Sequence, residues 1–219
     1  IEVCLVGSEM CIRDRGITVY HAVPSVEGAI KAADCGVDGL VVEGTEGGGF
    51  KSPEEVGLFV LIQAIRKQID LPIIAAGGIA DGAGMAAAFA VGAEGIQMGT
   101  RFVSSKESPV HDNFKNYIFE SSLNGTWILN KTSKPVIRAL RTEFTKEILE
   151  AGEMDMSAMG KIQDLYFGGD MNAAPALSGQ SVGLIDDIKS AEEIIQDTIN
   201  EFNQTCSELG LSLIHISEP

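Results

Sequence analysis

The stretch LPIIAAGGIADGAGMAAAFAVGAEGIQMGT, residues 71–100, decides the fold. Leu71 to Ala76 is an apolar run of the length a buried strand takes. Gly77 and Gly78 interrupt it, and Asp81 stands where a helix N-cap belongs. Met85, Ala88 and Phe89 then recur at helical spacing until Gly92 stops them. Gly95 to Phe102 reads as the next strand. Strand, helix and strand in this order make a βαβ unit, and such units build parallel sheets.

The same alternation extends upstream. Thr18 to Pro24 reads as a strand, and Ser25 caps a helix whose Ala29, Ala32 and Ala33 share a face before Gly36 ends it. Gly39 to Gly44 is another strand. Ser52, Pro53 and Glu55 have the spacing of a capping box, which predicts a helix opening there and running through Leu58, Leu61, Ile62 and Ile65. Strand centres near Val19, Leu40, Ile73 and Ile96 are about 21 to 33 residues apart, as a (β/α) barrel requires, and eight such units take about 250 residues. Four units are legible in these 219 residues. A doubly wound sheet shares the alternation, but no GxGxxG follows any strand. The expected fold is α/β: the C-terminal half of a (β/α)8 TIM barrel over residues 16–120, then a helical extension over 121–210.

Helices are expected at Val110 to Phe119, Thr142 to Ala151 and Ser157 to Gly169. Ser190 and Glu193 form a capping box for a last helix, on which Ile188, Ala191, Ile195, Phe202, Cys206 and Leu209 suggest one apolar face. That face would pack on the barrel or on another subunit, which leaves a homo-oligomer open.

Two end segments are set aside. Cys4 to Arg15 (CLVGSEMCIRDR) and Leu211 to Pro219 (LSLIHISEP) resemble translated sequencing-adapter read-through of the kind found on metagenomic reading frames. Residues 1–15 and 211–219 are therefore expected to be non-native, with the natural sequence cut on its N-terminal side. No role is given to Cys4, Cys11 or His215. A half barrel on its own would carry open sheet edges and part of a site, and self-association would follow.

Apolar residues make up 45% of the chain, enough for a core, and no run of 18 or more could span a bilayer. A signal peptide is not legible, so a soluble, cytoplasmic protein is expected. The four cysteines lie far apart, without CxxC or histidine at metal-ligand spacing, and point to neither disulfides nor a metal site. Cys35 and Cys206 are expected in the core. Fifteen acidic and four basic residues from Arg141 onward supply −11 of the net −15. Nucleic acid is a poor partner for such a surface, and a small-molecule substrate is the better one.

The chemical signal lies at strand ends. Gly77 and Gly78 follow one strand and precede a helix, and Gly99 ends the next, with Thr100 beside it. Glycine lets backbone N–H groups approach an oxyanion, a helix dipole favours negative charge, and Thr100 can donate through its hydroxyl, so the pair of loops suits a phosphate. Tight turns are the alternative use of the same glycines. A third loop, Glu43 to Lys51 (EGTEGGGFK), lies on the same rim, and its three consecutive glycines suit a backbone laid against a flat ring; a flexible surface loop is the alternative.

EGTEGGGFKSPEEVGLFVLIQAIRKQIDLPIIAAGGIADGAGMAAAFAVGAEGIQMGTRFV resembles the nitronate monooxygenase family, which includes flavin-type enoyl-ACP reductases and NAD(P)H-quinone reductases. The likeness runs from Val19 to about Tyr117, and SGQSVGLIDDIKSAEEII adds a weaker one. It implies an FMN-dependent oxidoreductase that oxidises alkyl nitronates with O2 or takes electrons from NAD(P)H. FMN phosphate would be held by Gly77, Gly78, Gly99 and Thr100, with Gln97 and Met98 adjoining, and Gly48 or Gly49 would lie beside the ring system. An enoyl-ACP reductase and a non-enzymatic FMN or phosphate binder are the alternatives.

One departure matters. The family's catalytic loop reads E-A-G-G-H-x-G, and its histidine position here is Phe50. Phenylalanine exchanges no proton, so a contribution of roughly 10² to 10⁴-fold from general base catalysis is lost there. A preformed nitronate, or hydride delivery from NAD(P)H, does not need that base. His21 and His111 read as structural, while Glu43 and Glu46 lie near enough in sequence to substitute.

Overall fold

The computed structural model describes residues 16–210; both segments set aside above, with Cys4, Cys11 and His215, lie outside them. Strands β1 (Tyr20–Val23), β2 (Gly39–Glu43), β4 (Ile73–Ala76) and β5 (Gly95–Gln97) form a four-stranded sheet in the order β1-β2-β4-β5, parallel throughout. Helix α1 (Val26–Asp34) connects β1 to β2, α2 (Leu58–Arg66) leads into β4, and α3 (Gly82–Ala90) connects β4 to β5. Each helix start has a local cause. The Ser25 hydroxyl accepts from Gly28 N–H at 3.0 Å, and Asp81 Oδ1 accepts from Gly84 N–H at 2.7 Å.

Strand alternation turns Leu40, Val42, Ile73 and Ala75 to the helical layer, where they meet Ala29, Leu61, Ile62 and Ile65. Leu61, Ile62 and Ile65 are fully buried, worth about 1.5–3 kcal/mol each relative to exposure. The alternate residues Val41, Glu43, Ile74 and Ala76 face the other way, toward what would be a barrel interior.

Several expectations are corrected. Helix α2 starts at Leu58 with Gly57 at the N-cap, not at Ser52. Gly49–Lys51 is drawn into a strand, β3, and Ser52 to Glu55 forms a turn in which Glu55 has φ 52° and the Ser52 hydroxyl accepts from Glu54 N–H. The cap comes from farther away: the Glu46 carboxylate accepts from Leu58 N–H at 3.0 and 3.2 Å. Strand β5 stops at Gln97, and Thr100–Val103 is a short helix, α4, not a continuation of the strand. Cys35 is exposed just past α1, whereas Cys206 is in the core as expected.

Residues beyond Val103 hold the expected helices α5 (Asp112–Phe119), α6 (Glu143–Ala151), α7 (Ile162–Tyr166, after a 3-10 turn at Met156–Lys161) and α8 (Ala191–Glu208). His111 caps α5, its Nδ1 accepting from Asn113 N–H at 3.1 Å; His21 is exposed on edge strand β1. On α8 the buried face is Ile194, Thr198, Phe202 and Cys206, while Ile195 and Leu209 are exposed. The helix backbone fits closely over α3: a methyl group at Gly82 would lie 2.8 Å from the Glu201 carbonyl carbon. The extension also contains a hairpin that was not foreseen. Strands β6 (Thr126–Leu129) and β7 (Val136–Leu140) pair antiparallel, and β3 joins the other edge of β7. Every residue of β7 is buried, so it lacks the period of two that marks a half-exposed strand.

Candidate functional site

A cavity of about 280 Å³ opens at the C-terminal ends of β2, β4 and β5, the rim on which (β/α) barrels place their chemistry. Gly48, Gly49, Gly77, Gly78, Gln97, Gly99 and Thr100 all line it. Met98 does not. It follows the last residue of β5 and packs on the core beneath the helices.

The glycines do two different jobs. Gly77 and Gly78 have φ of 91° and 78°, a left-handed backbone that glycine adopts without steric cost. A methyl group on Gly48 would sit 2.6 Å from the Ser178 carbonyl carbon, and one on Gly77 would sit 2.8 Å from Gly47 N, so both also let chain segments touch. Gly99 is different: a methyl group there would meet nothing within 4 Å, and its backbone is bare toward the cavity. Among the described residues, the N–H groups of Gly77, Gly78 and Gly99 enter no turn or loop hydrogen bond. The dipole of α3, however, is not aimed into the cavity. Asp81 occupies its N-terminus and the Glu201 carboxylate accepts from Gly82 N–H at 3.1 Å, so free N–H groups, not a helix end, make the anion-suited surface.

The far wall was not legible beforehand. Leu177, Ser178, Gly179 and Ser181 come from the segment between β7 and α8 and line the cavity opposite the glycine loops. An isolated bridge between Ala139 and Leu177 and the bond from Leu140 N–H to Ala176 O hold that segment on the hairpin. Gly179 N–H donates to Thr100 Oγ1 at 2.9 Å, and Gln180 N–H donates to Glu46 O at 2.8 Å. Ser178 is 2% exposed and its hydroxyl has no hydrogen-bond partner. The three free N–H groups, with the Thr100 hydroxyl on the same cavity, are donors that a polyoxygen ligand would satisfy.

Beneath the glycine-rich loop, Arg138 of β7 is buried opposite Gly49. Its Nε donates to Thr45 O at 2.8 Å and its Nη1 donates to Thr126 Oγ1 at 3.0 Å, which fixes the start of the loop. Burial lowers its pKa, against the opposing charges of Glu55 and Glu46. Phe50 is 56% exposed and lies outside the cavity lining, so the position where the family carries histidine has no proton-transferring group. Of the two carboxylates raised as substitutes, Glu46 is committed to Leu58 N–H, while Glu43 lines the cavity.

A parallel βα wall with a glycine-lined cavity on its C-terminal rim defines the chain as an α/β protein of the (β/α)-barrel class. A sequence model of the nitronate monooxygenase family matches residues 9–201, and the chain belongs to that family. Among curated proteins it is 29% identical over 243 residues to the (3aS,4S,5R,7aS)-5-hydroxy-7a-methyl-1-oxo-octahydro-1H-indene-4-carboxyl-CoA dehydrogenase of Rhodococcus jostii, covering 91% of this chain and 68% of that protein. It is 32% identical over 148 residues to a probable nitronate monooxygenase of Staphylococcus saprophyticus, covering 64% of this chain and 42% of that one. The structure of FabK from Thermotoga maritima superposes with a TM-score of 0.85 at 39% identity, over 91% of this chain and 65% of that one. The nitroalkane oxidase of Streptomyces ansochromogenes shares the fold, with a TM-score of 0.80 at 22% identity, over 90% and 61%. The chain thus spans about two thirds or less of the length of these relatives. Among the described residues, no helix is long and apolar enough to cross a membrane, and no group of His, Cys, Asp and Glu could hold a metal ion.

Proposed function

We propose that this chain carries the FMN site of a cytoplasmic flavin-dependent oxidoreductase, nitronate monooxygenase-like in its chemistry and acting on a small molecule. The carrying observation is that Gly77, Gly78 and Gly99, whose N–H groups enter no turn or loop hydrogen bond, line one cavity with the hydroxyl-bearing Thr100. Phosphate fits that donor set, since each N–H and O–H finds an acceptor and the positive φ values hold two of the N–H groups in a concave turn. Gly48 and Gly49 would let a flat ring lie against the loop, and Ile79, Val103 and Leu177 supply apolar wall that excludes water. When bound, FMN supplies the electron-accepting ring, and the protein supplies anchoring, orientation and shelter.

The experiment is oxygen uptake by the FMN-supplemented chain with an alkyl nitronate. Uptake that depends on nitronate and on added FMN supports the reading; FMN binding without any turnover leaves a binder. A second reading is a reductase using NAD(P)H on an acyl thioester, favoured by the likeness to a protein named as a carboxyl-CoA dehydrogenase. Its sign would be NAD(P)H consumption that needs a thioester and not a nitronate.

A further inference from the structure

Arg101, the residue after Thr100, is 7% exposed and stands outside the cavity lining. It reaches across 86 positions of sequence to the end of the far wall, where its Nη1 donates to Asp187 O at 3.0 Å and its Nη2 donates to Asp187 Oδ1 at 2.6 Å. A guanidinium held by a carbonyl and a carboxylate together is fixed in direction as well as in place. Burial works against the Asp187 carboxylate, but hydrogen bonds from Lys189 and Arg101 hold its pKa below the ordinary value. Residues 177–187 are thus fastened to α4 in two places: Gly179 N–H on Thr100 Oγ1 near the start and Arg101 on Asp187 at the end. Among the described residues, the hydrogen bonds that tie 181–188 to the barrel side all come from Arg101. Val182 and Ile185 also share a core with Phe114, Ile118 and Leu165, but apolar packing is non-directional and leaves the wall's position along that core to the polar bonds.

Resting on the oxidoreductase reading of this cavity, we propose that Arg101 is the positioning residue of its far wall: paired with Asp187, it holds Gly179 and Ser181 opposite the glycine loops and so sets how fast the bound ligand escapes. Arg101 acts through residues 177–187 and touches no ligand itself. Without the guanidinium, the end of the wall loses its fixed point while the strand layer keeps its own core, so the wall opens more often and the layer beneath it is unaffected. The choice of variant follows from the burial of the pair. Removing the Asp187 carboxylate would strand a buried cation, because the Arg101 side chain is 9% exposed. Arg101→Met removes that cation and keeps apolar bulk in its place, and Asp187 retains Lys189, 2.6 Å away, as a partner.

The test uses the full chain and two readouts, of which the first needs no flavin. Hydrogen exchange followed by mass spectrometry compares residues 177–187 with helix α1, and fluorescence after dilution gives the FMN dissociation rate. Arg101→Met should speed exchange in 177–187 by about ten-fold or more while α1 stays within about two-fold of wild type, and should raise the FMN dissociation rate by about ten-fold or more. Arg101→Lys keeps the charge without the fork, and both its rates should fall between those of wild type and Arg101→Met. Should Arg101→Met not fold, Arg101→Lys should still exceed wild type by about three-fold in both. Wild-type exchange in 177–187, a rise shared equally by α1, or wild-type FMN dissociation from a loosened wall overturns the proposal. A wild-type chain that binds no FMN strikes the flavin reading alone, and the exchange comparison then decides whether Arg101 holds the wall.

Discussion

The Thr100 hydroxyl oxygen accepts a hydrogen bond from Gly179 N–H at 2.9 Å, joining the start of α4 to a segment 79 residues farther along the chain. Accepting there leaves the hydroxyl its proton to donate, and Thr100 lines the cavity. Thr100→Val therefore removes both a wall contact and a donor. The variant should lose about 0.5–1.5 kcal/mol in urea unfolding and about ten-fold or more in FMN affinity by fluorescence titration. Unchanged affinity would remove Thr100 from the phosphate site.

Two glycines on this cavity should respond in opposite ways. Gly48→Ala drives a methyl group into the backbone at Ser178 and Gly179. A destabilisation of about 1–3 kcal/mol is expected, since backbone cannot give way as a flexible side chain can. Gly99→Ala has open space and an ordinary φ of −93°. Its stability should stay within about 0.5 kcal/mol of wild type while FMN affinity falls, because the methyl group stands where the ligand would. Thermal unfolding and titration of the two variants side by side give the comparison.

Glu46 works as a remote helix cap. Glu46→Ala leaves Leu58 N–H without its acceptor and should cost about 0.5–2 kcal/mol in chemical denaturation. Glu46→Gln, which retains an oxygen acceptor, should recover most of the loss. If alanine and glutamine behave alike, the cap is not the source of the effect.

The start of α8 should be sensitive to acid. The Glu193 carboxyl is held at about 2 by the Ser190 backbone N–H first, then by Lys106 and the Ser190 hydroxyl. Its folded pKa lies below the unfolded value of about 4.3, so its stabilising contribution is present above that value and is lost as pH falls toward about 2. In thermal melts, the difference between wild type and Glu193→Gln should shrink from pH 5 to pH 2. A difference independent of pH would mean that the carboxylate charge plays no part.

The barrel wall was legible because its signals are local. Ser25 and Asp81 cap the helices they precede, and Leu61, Ile62 and Ile65 show the helical period that buries them. The glycine loops were legible for the same reason: strand ends announce themselves. What escaped depends on contacts between distant residues. Ser52 has the spacing of a cap, yet Glu46 performs the task, because Gly49–Lys51 is captured by β7 from the far side of the sequence. Strand β7 is buried on both faces and shows no alternation, so Arg138 gave no sign of supporting the loop. Ser178 is an ordinary serine until the fold buries its hydroxyl without a hydrogen-bond partner. Met98 was grouped with its neighbours by sequence adjacency, yet it packs on the core and not on the cavity.

The most direct measurement is a paired titration of the purified chain with FMN and with riboflavin, which differ by the phosphate alone, followed by flavin absorbance and fluorescence. If Gly77, Gly78, Gly99 and Thr100 form a phosphate cradle, FMN should bind at one per chain and at least 100-fold more tightly than riboflavin, about 2.7 kcal/mol. Equal affinity for the two, or binding of neither, would contradict the cofactor site described here.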